Sequence, residues 1–208
     1  MELSQNHTVK IVALLLLIAA IIQPIYTALY VGAPDIDRQF LWGLEGLLFV
    51  LLATFAGSAM VMTKPYALGF SAIAFCAVLN VVQVGIGLTQ FGPFREAAAA
   101  NPELSGITES IRALSFFVYN AAKTLLGLAA ATFGMAMLKR GSNILGRTAI
   151  LVGILAFIAN TLVMMFGTRG FIPSPIAGGS GVLATFLLAI CLFRLSSENL
   201  NSPLGIEN

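Results

Sequence analysis

An all-α integral membrane bundle of six transmembrane helices is the fold class this 208-residue chain predicts, and three observations carry that expectation. Hydrophobic residues make up 58% and charged residues 10%, where a soluble domain carries about a quarter charged. Mean hydropathy is +0.93, too high for a water-facing surface. The apolar residues also fall into six long runs of about twenty, which span a hydrocarbon core of about 30 Å at about 1.5 Å per residue. The whole chain, 1–208, reads as one transmembrane domain.

Residues 1–9 read as a short polar tail. The first span, about 11–31, follows Lys10. Its apolar run exceeds the 7–15 residues of a signal-peptide core and no small-residue cleavage site follows, so it reads as a span. Gln23-Pro24 interrupts it and predicts a kink or local unwinding, because proline removes a backbone hydrogen bond. A polar link over 32–39 leads to the second span, about 40–62, which stops at Thr63-Lys64-Pro65. The third covers about 66–90. Residues 91–112 form the one long connection, in which 95–100 supplies a helical turn or two and Asn101-Pro102 ends it. Ser105 or Thr108 is placed to cap the fourth span, about 113–138. Lys139-Arg140-Gly141 closes that span, and the fifth (about 144–167) and sixth (about 176–195) follow, with a polar tail after them.

Several function classes find no residues to support them. The basic residues form no block, so nucleic acid is not an implied partner; the lipid bilayer is. Cys76 and Cys191 each stand alone in apolar sequence and read as buried, inert thiols. His7 is the single histidine, which excludes paired-histidine haem ligation and a histidine-rich metal site; no cofactor is implied. There is no Ser/His/Asp set and no paired carboxylate, so nothing supports an enzyme. For orientation, Lys10, Lys64, Lys139, Arg140, Arg147 and Arg194 lie on the side of both termini. Arg38, Arg95, Arg112 and Arg169 lie opposite, diluted by Asp35, Asp37, Glu96, Glu103 and Glu109. That bias places both termini in the cytoplasm, here of a bacterial inner membrane.

The spans also resemble one another. Leu52-Ala53-Thr54-Phe55, Ala130-Ala131-Thr132-Phe133 and Leu183-Ala184-Thr185-Phe186 occupy the three even spans. The three odd spans each carry a mid-depth amide, Gln23, Asn80 or Asn160, followed by Pro34, Pro93 or Pro173 at the far end. This reads as an internal repeat of three tandem helical hairpins in a pseudo-threefold arrangement. In that register Glu45 and Lys123 are equivalent, each nine residues before its threonine, and Ile176 takes the third place.

Glu45 and Lys123 are the charges inside apolar sequence, and such charges are rarely left without a partner. An intramembrane ion pair is one expectation, with snorkelling to the surface as the other structural outcome. The functional expectation is an outward-facing polar vestibule framed by Glu45, Lys123, Asn120 and Tyr119. Gln23, Asn80, Gln83 and Asn160 would line its middle as a constriction for a small solute, or serve as interhelical glue. Asn120, Gly127, Ala130 and Gly134 share Lys123's face of the fourth span, a stripe suited to close packing or a cavity. Trp42, Tyr30 and Tyr119 are expected near the outer interface and Tyr66 near the inner one. The Ala177–Gly181 stretch lacks a phosphate loop's flanking strand and Lys-Ser/Thr, so it reads as a close-packing helix start.

Size and span count resemble those of several bacterial classes of small membrane protein, channels for urea or acetate among them, in topology alone. The leading reading is a membrane channel or transporter for a small solute. The alternatives are a non-catalytic accessory or interaction subunit, alone or as a homo-oligomer or with a partner membrane subunit, and a lipid- or quinone-binding protein that takes a hydrophobic ligand.

Overall fold

The computed structural model describes residues 3–32, 39–167 and 172–197, and every long element within them is helical. Readings that fall on the side chain of Tyr30, on Pro34, Asp35, Asp37, Arg38 and Arg169, and on the tail after Ser197 lie outside the described residues. The six helices are α1 (Gln5–Gly32), α2 (Gln39–Met62), α3 (Ala67–Ala100), α4 (Ser105–Lys139), α5 (Asn143–Phe166) and α6 (Ser174–Ser197). All six are long and apolar enough to cross a membrane.

The helix ends differ from the sequence reading where polar residues, not apolar ones, set them. α1 begins at Gln5, inside the expected polar tail, because Ser4 caps it: the His7 amide donates to Ser4 Oγ at 3.4 Å and the Thr8 hydroxyl to Ser4 O at 3.1 Å. Thr8 and Val9 are consequently buried. α1 then runs through Pro24 without unwinding.

The expected connection at 91–112 is mostly helix. α3 continues through Pro93 to Ala100, and α4 starts at Ser105 after a 3-10 turn over Pro102–Leu104. Four consecutive alanines, 97–100, are strong helix formers and need no apolar partner to stay helical. At 34 and 35 residues these helices are each about 50 Å long, so they project as a hairpin well past an apolar layer of about 30 Å. Neither Ser105 nor Thr108 caps α4. The Thr108 hydroxyl instead donates to Phe94 O at 3.1 Å and ties the two extensions together. At the opposite end, here called the terminal end, Gly141 turns α4 into α5 with φ +79°, a left-handed backbone that favours glycine.

Helices adjacent in sequence pack against each other round a ring, and α6 closes on α1. α4 also packs extensively on α6, while no comparable α2–α4 or α2–α6 packing accompanies it. The repeated Ala-Thr-Phe segments keep one local feature. Thr54, Thr132 and Thr185 each donate to the carbonyl four residues earlier. Their phenylalanines differ: Phe133 is fully buried against Tyr66 and Phe70, Phe55 is half-buried and Phe186 is exposed.

The seam between α4 and α5 is the tightest in the bundle. A Cβ on Gly127 would lie 2.6 Å from Phe157 N and 2.7 Å from Gly153 O, and one on Gly134 would lie 2.9 Å from Gly146 O. Backbone therefore meets backbone along two turns, as small residues permit in membrane helices. The stripe of Gly127, Ala130 and Gly134 thus makes packing. An open surface groove lies at the terminal end, between Ser142, Asn143, Leu145, Leu187 and Arg194.

Candidate functional site

α4 carries Lys123 into the middle of the ring, where it is completely enclosed. Its aliphatic stem lies flat on α6: a Cβ added to Gly181 would sit 2.8 Å from Lys123 Cδ, so only glycine leaves room. The head crosses to α1, where Lys123 Nζ donates to Gln23 Oε1 at 2.5 Å. Gln23, itself buried, also reaches the side chain of Glu45 on α2. An acid, an amide and a base from three helices thus form one linked set, held by polar contacts that low dielectric strengthens.

The direct ion pair expected from the sequence is not formed. Among the described residues the one pair within salt-bridge distance is Glu109 with Arg112, on the projecting hairpin. Gln23 instead meets the Lys123 ammonium and lies beside Glu45. Snorkelling is excluded for Lys123 by its full burial. The Tyr119 ring, one turn along α4, covers the ammonium at 5.2 Å from its centroid, a cation–π distance.

The remaining candidates divide between this set and the helix seams. Asn80 donates to Cys76 O at 2.9 Å and Cys76 Sγ at 3.3 Å, and the buried Cys76 thiol lies close to Lys123. Cys76 is the buried free thiol the sequence suggests, and its bond to Asn80 follows from their spacing of four on one helical face. Asn120 turns away and donates to Phe116 O at 2.7 Å on its own helix. Gln83 bonds Ser115 across the α3–α4 seam at 3.3 Å. Asn160 joins α5 to α6, donating to Ala156 O at 2.8 Å and Ala177 O at 3.1 Å, while its Oδ1 is buried without a protein partner. The three mid-depth amides therefore touch no common constriction in this conformation.

Aromatic rings close the set toward the hairpin end. Tyr26 lies three residues beyond Gln23 and Trp42 three before Glu45, so both rings sit about one turn to that side. They stack at 5.4 Å with 22° between planes, and Phe91 adds a tilted contact to Trp42 at 5.7 Å. Gly87 makes room: its Cβ would lie 2.9 Å from the indole. Trp42 is thus half-buried in the bundle and not simply an interface anchor. Tyr66 is buried too, stacked on Phe133 and accepting from Arg140 Nη2 at 3.2 Å.

Fold and site together define a six-helix membrane bundle with an enclosed polar centre. No family model matches the chain, and no solved structure does. Over 132 residues it is 34% identical to the potassium-transporting ATPase potassium-binding subunit of Erwinia tasmaniensis, a stretch amounting to 59% of this chain and 23% of that protein. The chain thus spans less than a quarter of the length of this curated relative.

Proposed function

We propose that this chain moves a small solute across the membrane through the ring, with Lys123, Gln23 and Glu45 as the polar centre and Tyr119 beside it. The observation that carries the reading is a fully enclosed lysine that bonds a buried amide lying beside a buried acid, with no other fully enclosed charged side chain among the described residues. Ionisable groups kept at this expense inside a membrane mark ion and substrate pathways. The likeness to a protein named for potassium transport and potassium binding supports the same reading and makes potassium the first solute to test. The Tyr26–Trp42 stack closes the path at the hairpin end. Lys10, Lys64, Lys139, Arg140, Arg147 and Arg194 at the terminal end orient that end to the cytoplasm of a bacterial inner membrane.

The test is tracer flux into proteoliposomes, with rubidium standing in for potassium. Glu45→Gln is expected to reduce flux, and Lys123→Met to alter it, while the helical signal is retained. Folded variants that transport every tested solute at the wild-type rate would remove the proposal. A second reading, an accessory or interaction subunit, is favoured by the close packing of Lys123 on Gly181, and the relative is itself named a subunit. It predicts no flux through the isolated wild-type protein.

A further inference from the structure

The polar centre holds one acid and one base, Glu45 and Lys123, which carry no net charge when both are ionised. A charge added to such a site without compensation costs several kcal/mol, so an incoming ion must change what is already there. Which sign of ion can enter is set by the ligand atoms on offer. Lys123 is shut behind Gln23, Gly181 and the Tyr119 ring, and Glu45 is buried beside it. With the ammonium enclosed, the set offers an ion the oxygens of Glu45 and Gln23, so the entering ion is a cation.

A cation on Glu45 leaves the site with one positive charge too many, and the groups facing Lys123 decide how it is lost. α1 contributes the Gln23 amide, α2 contributes Glu45, α3 contributes the Cys76 thiol, α6 contributes the bare backbone of Gly181, and α4 itself contributes Tyr119. The cations of α5 and α6, Arg147 and Arg194, stand about 15–20 Å away along their helices. Lys123 alone holds a positive charge that a proton can carry off.

We propose, resting on the transport reading above, that the protein exchanges one monovalent cation for one proton, with Glu45 as the cation's seat and Lys123 Nζ as the proton's. On entry of the cation an N–H bond of the ammonium breaks, its electron pair stays on Nζ, and the proton leaves to water. Glu45 keeps its charge throughout, so the site is neutral before and after. Gln23 Oε1, released from the ammonium, becomes an oxygen ligand for the cation beside the carboxylate. On return the proton rebinds Nζ, Gln23 swings back and the cation is expelled. The exchange is electroneutral.

The experiment uses the full chain in proteoliposomes loaded with a pH dye and a membrane-potential dye, with rubidium as the probe. A rubidium pulse is expected to release one proton per ion taken up without generating a potential, and vesicles that are acid inside are expected to accumulate rubidium. Lys123→Arg keeps the charge but cannot shed it, so uptake is expected to fall to the level of empty vesicles. Lys123→Met leaves Glu45 free of its internal cation, so uptake is expected to persist, generate a potential and release no protons. Rubidium uptake by the wild type without proton release, or exchange by Lys123→Arg at the wild-type rate, overturns this inference and leaves the transport reading standing. Absence of flux of any solute through the wild type overturns both. The wild-type proton count depends on no variant, so a substitution that fails to fold does not protect the inference.

Discussion

Replacing Gln23 by leucine tests whether the amide holds the buried charges together. The side chain keeps its size but loses both the oxygen that accepts from Lys123 Nζ at 2.5 Å and the link to Glu45. A hydrogen bond to a charged group is worth about 1.5–3 kcal/mol net, and a buried charge stripped of its partner altogether loses about 3–5 kcal/mol. Glu45 and the Tyr119 ring remain close to the ammonium, so the lower range applies, and Gln23→Leu is expected to destabilise the fold by about 2–3 kcal/mol. Replacing all three groups by apolar residues, Gln23→Leu with Lys123→Met and Glu45→Leu, leaves no charge to strand. That triple variant is expected to recover to within about 1 kcal/mol of the wild type or beyond it. The assay is reversible unfolding by added sodium dodecyl sulfate in mixed micelles, followed by helical circular dichroism. A Gln23→Leu protein as stable as the wild type would refute the linked set. So would a triple variant weakened by the sum of its parts.

Two further outcomes follow from packing and from the hairpin. Gly153→Ala puts a methyl group 2.7 Å from Ala131 N and from Gly127 O, both backbone atoms that cannot step aside, and is expected to destabilise by about 1–3 kcal/mol in the same titration. Thr108→Val deletes the 3.1 Å bond to Phe94 O. Amides between 95 and 104 should then exchange with deuterium up to about tenfold faster, as expected for about 0.5–1.5 kcal/mol lost locally, with no change in the spans.

What the sequence made legible was whatever the membrane itself dictates. The six spans are visible because apolar runs of the right length have few alternatives in hydrocarbon. Glu45 and Lys123 are visible because charges inside such runs are rare. The helix start at Gln5 and the helical run over 105–112 had no apolar signal because, outside hydrocarbon, capping and local propensity decide them, whereas the stop after Ala100 was legible in Asn101-Pro102. The repeat grouped Gln23 with Asn80 and Asn160 and gave no sign of its partner. One strong donor, the Lys123 ammonium, sets its surroundings instead. The closeness of Gly181 to the lysine stem had no one-dimensional signal: a glycine states that space is small without naming the neighbour that fills it.

The glycine contacts between α4 and α5 have a mechanical meaning. Side-chain layers let helices slide by changing rotamers, but two main chains in contact have nothing to rearrange, so these helices can move only as a single post. Lys123 is fixed to that post, whereas Gln23 and Glu45 ride on α1 and α2, which meet each other across the large rings of Tyr26 and Trp42. If the bundle opens, the stator carries the base and the rotor carries the acid and the amide. The 2.5 Å bond between them is then the contact that such an opening would break.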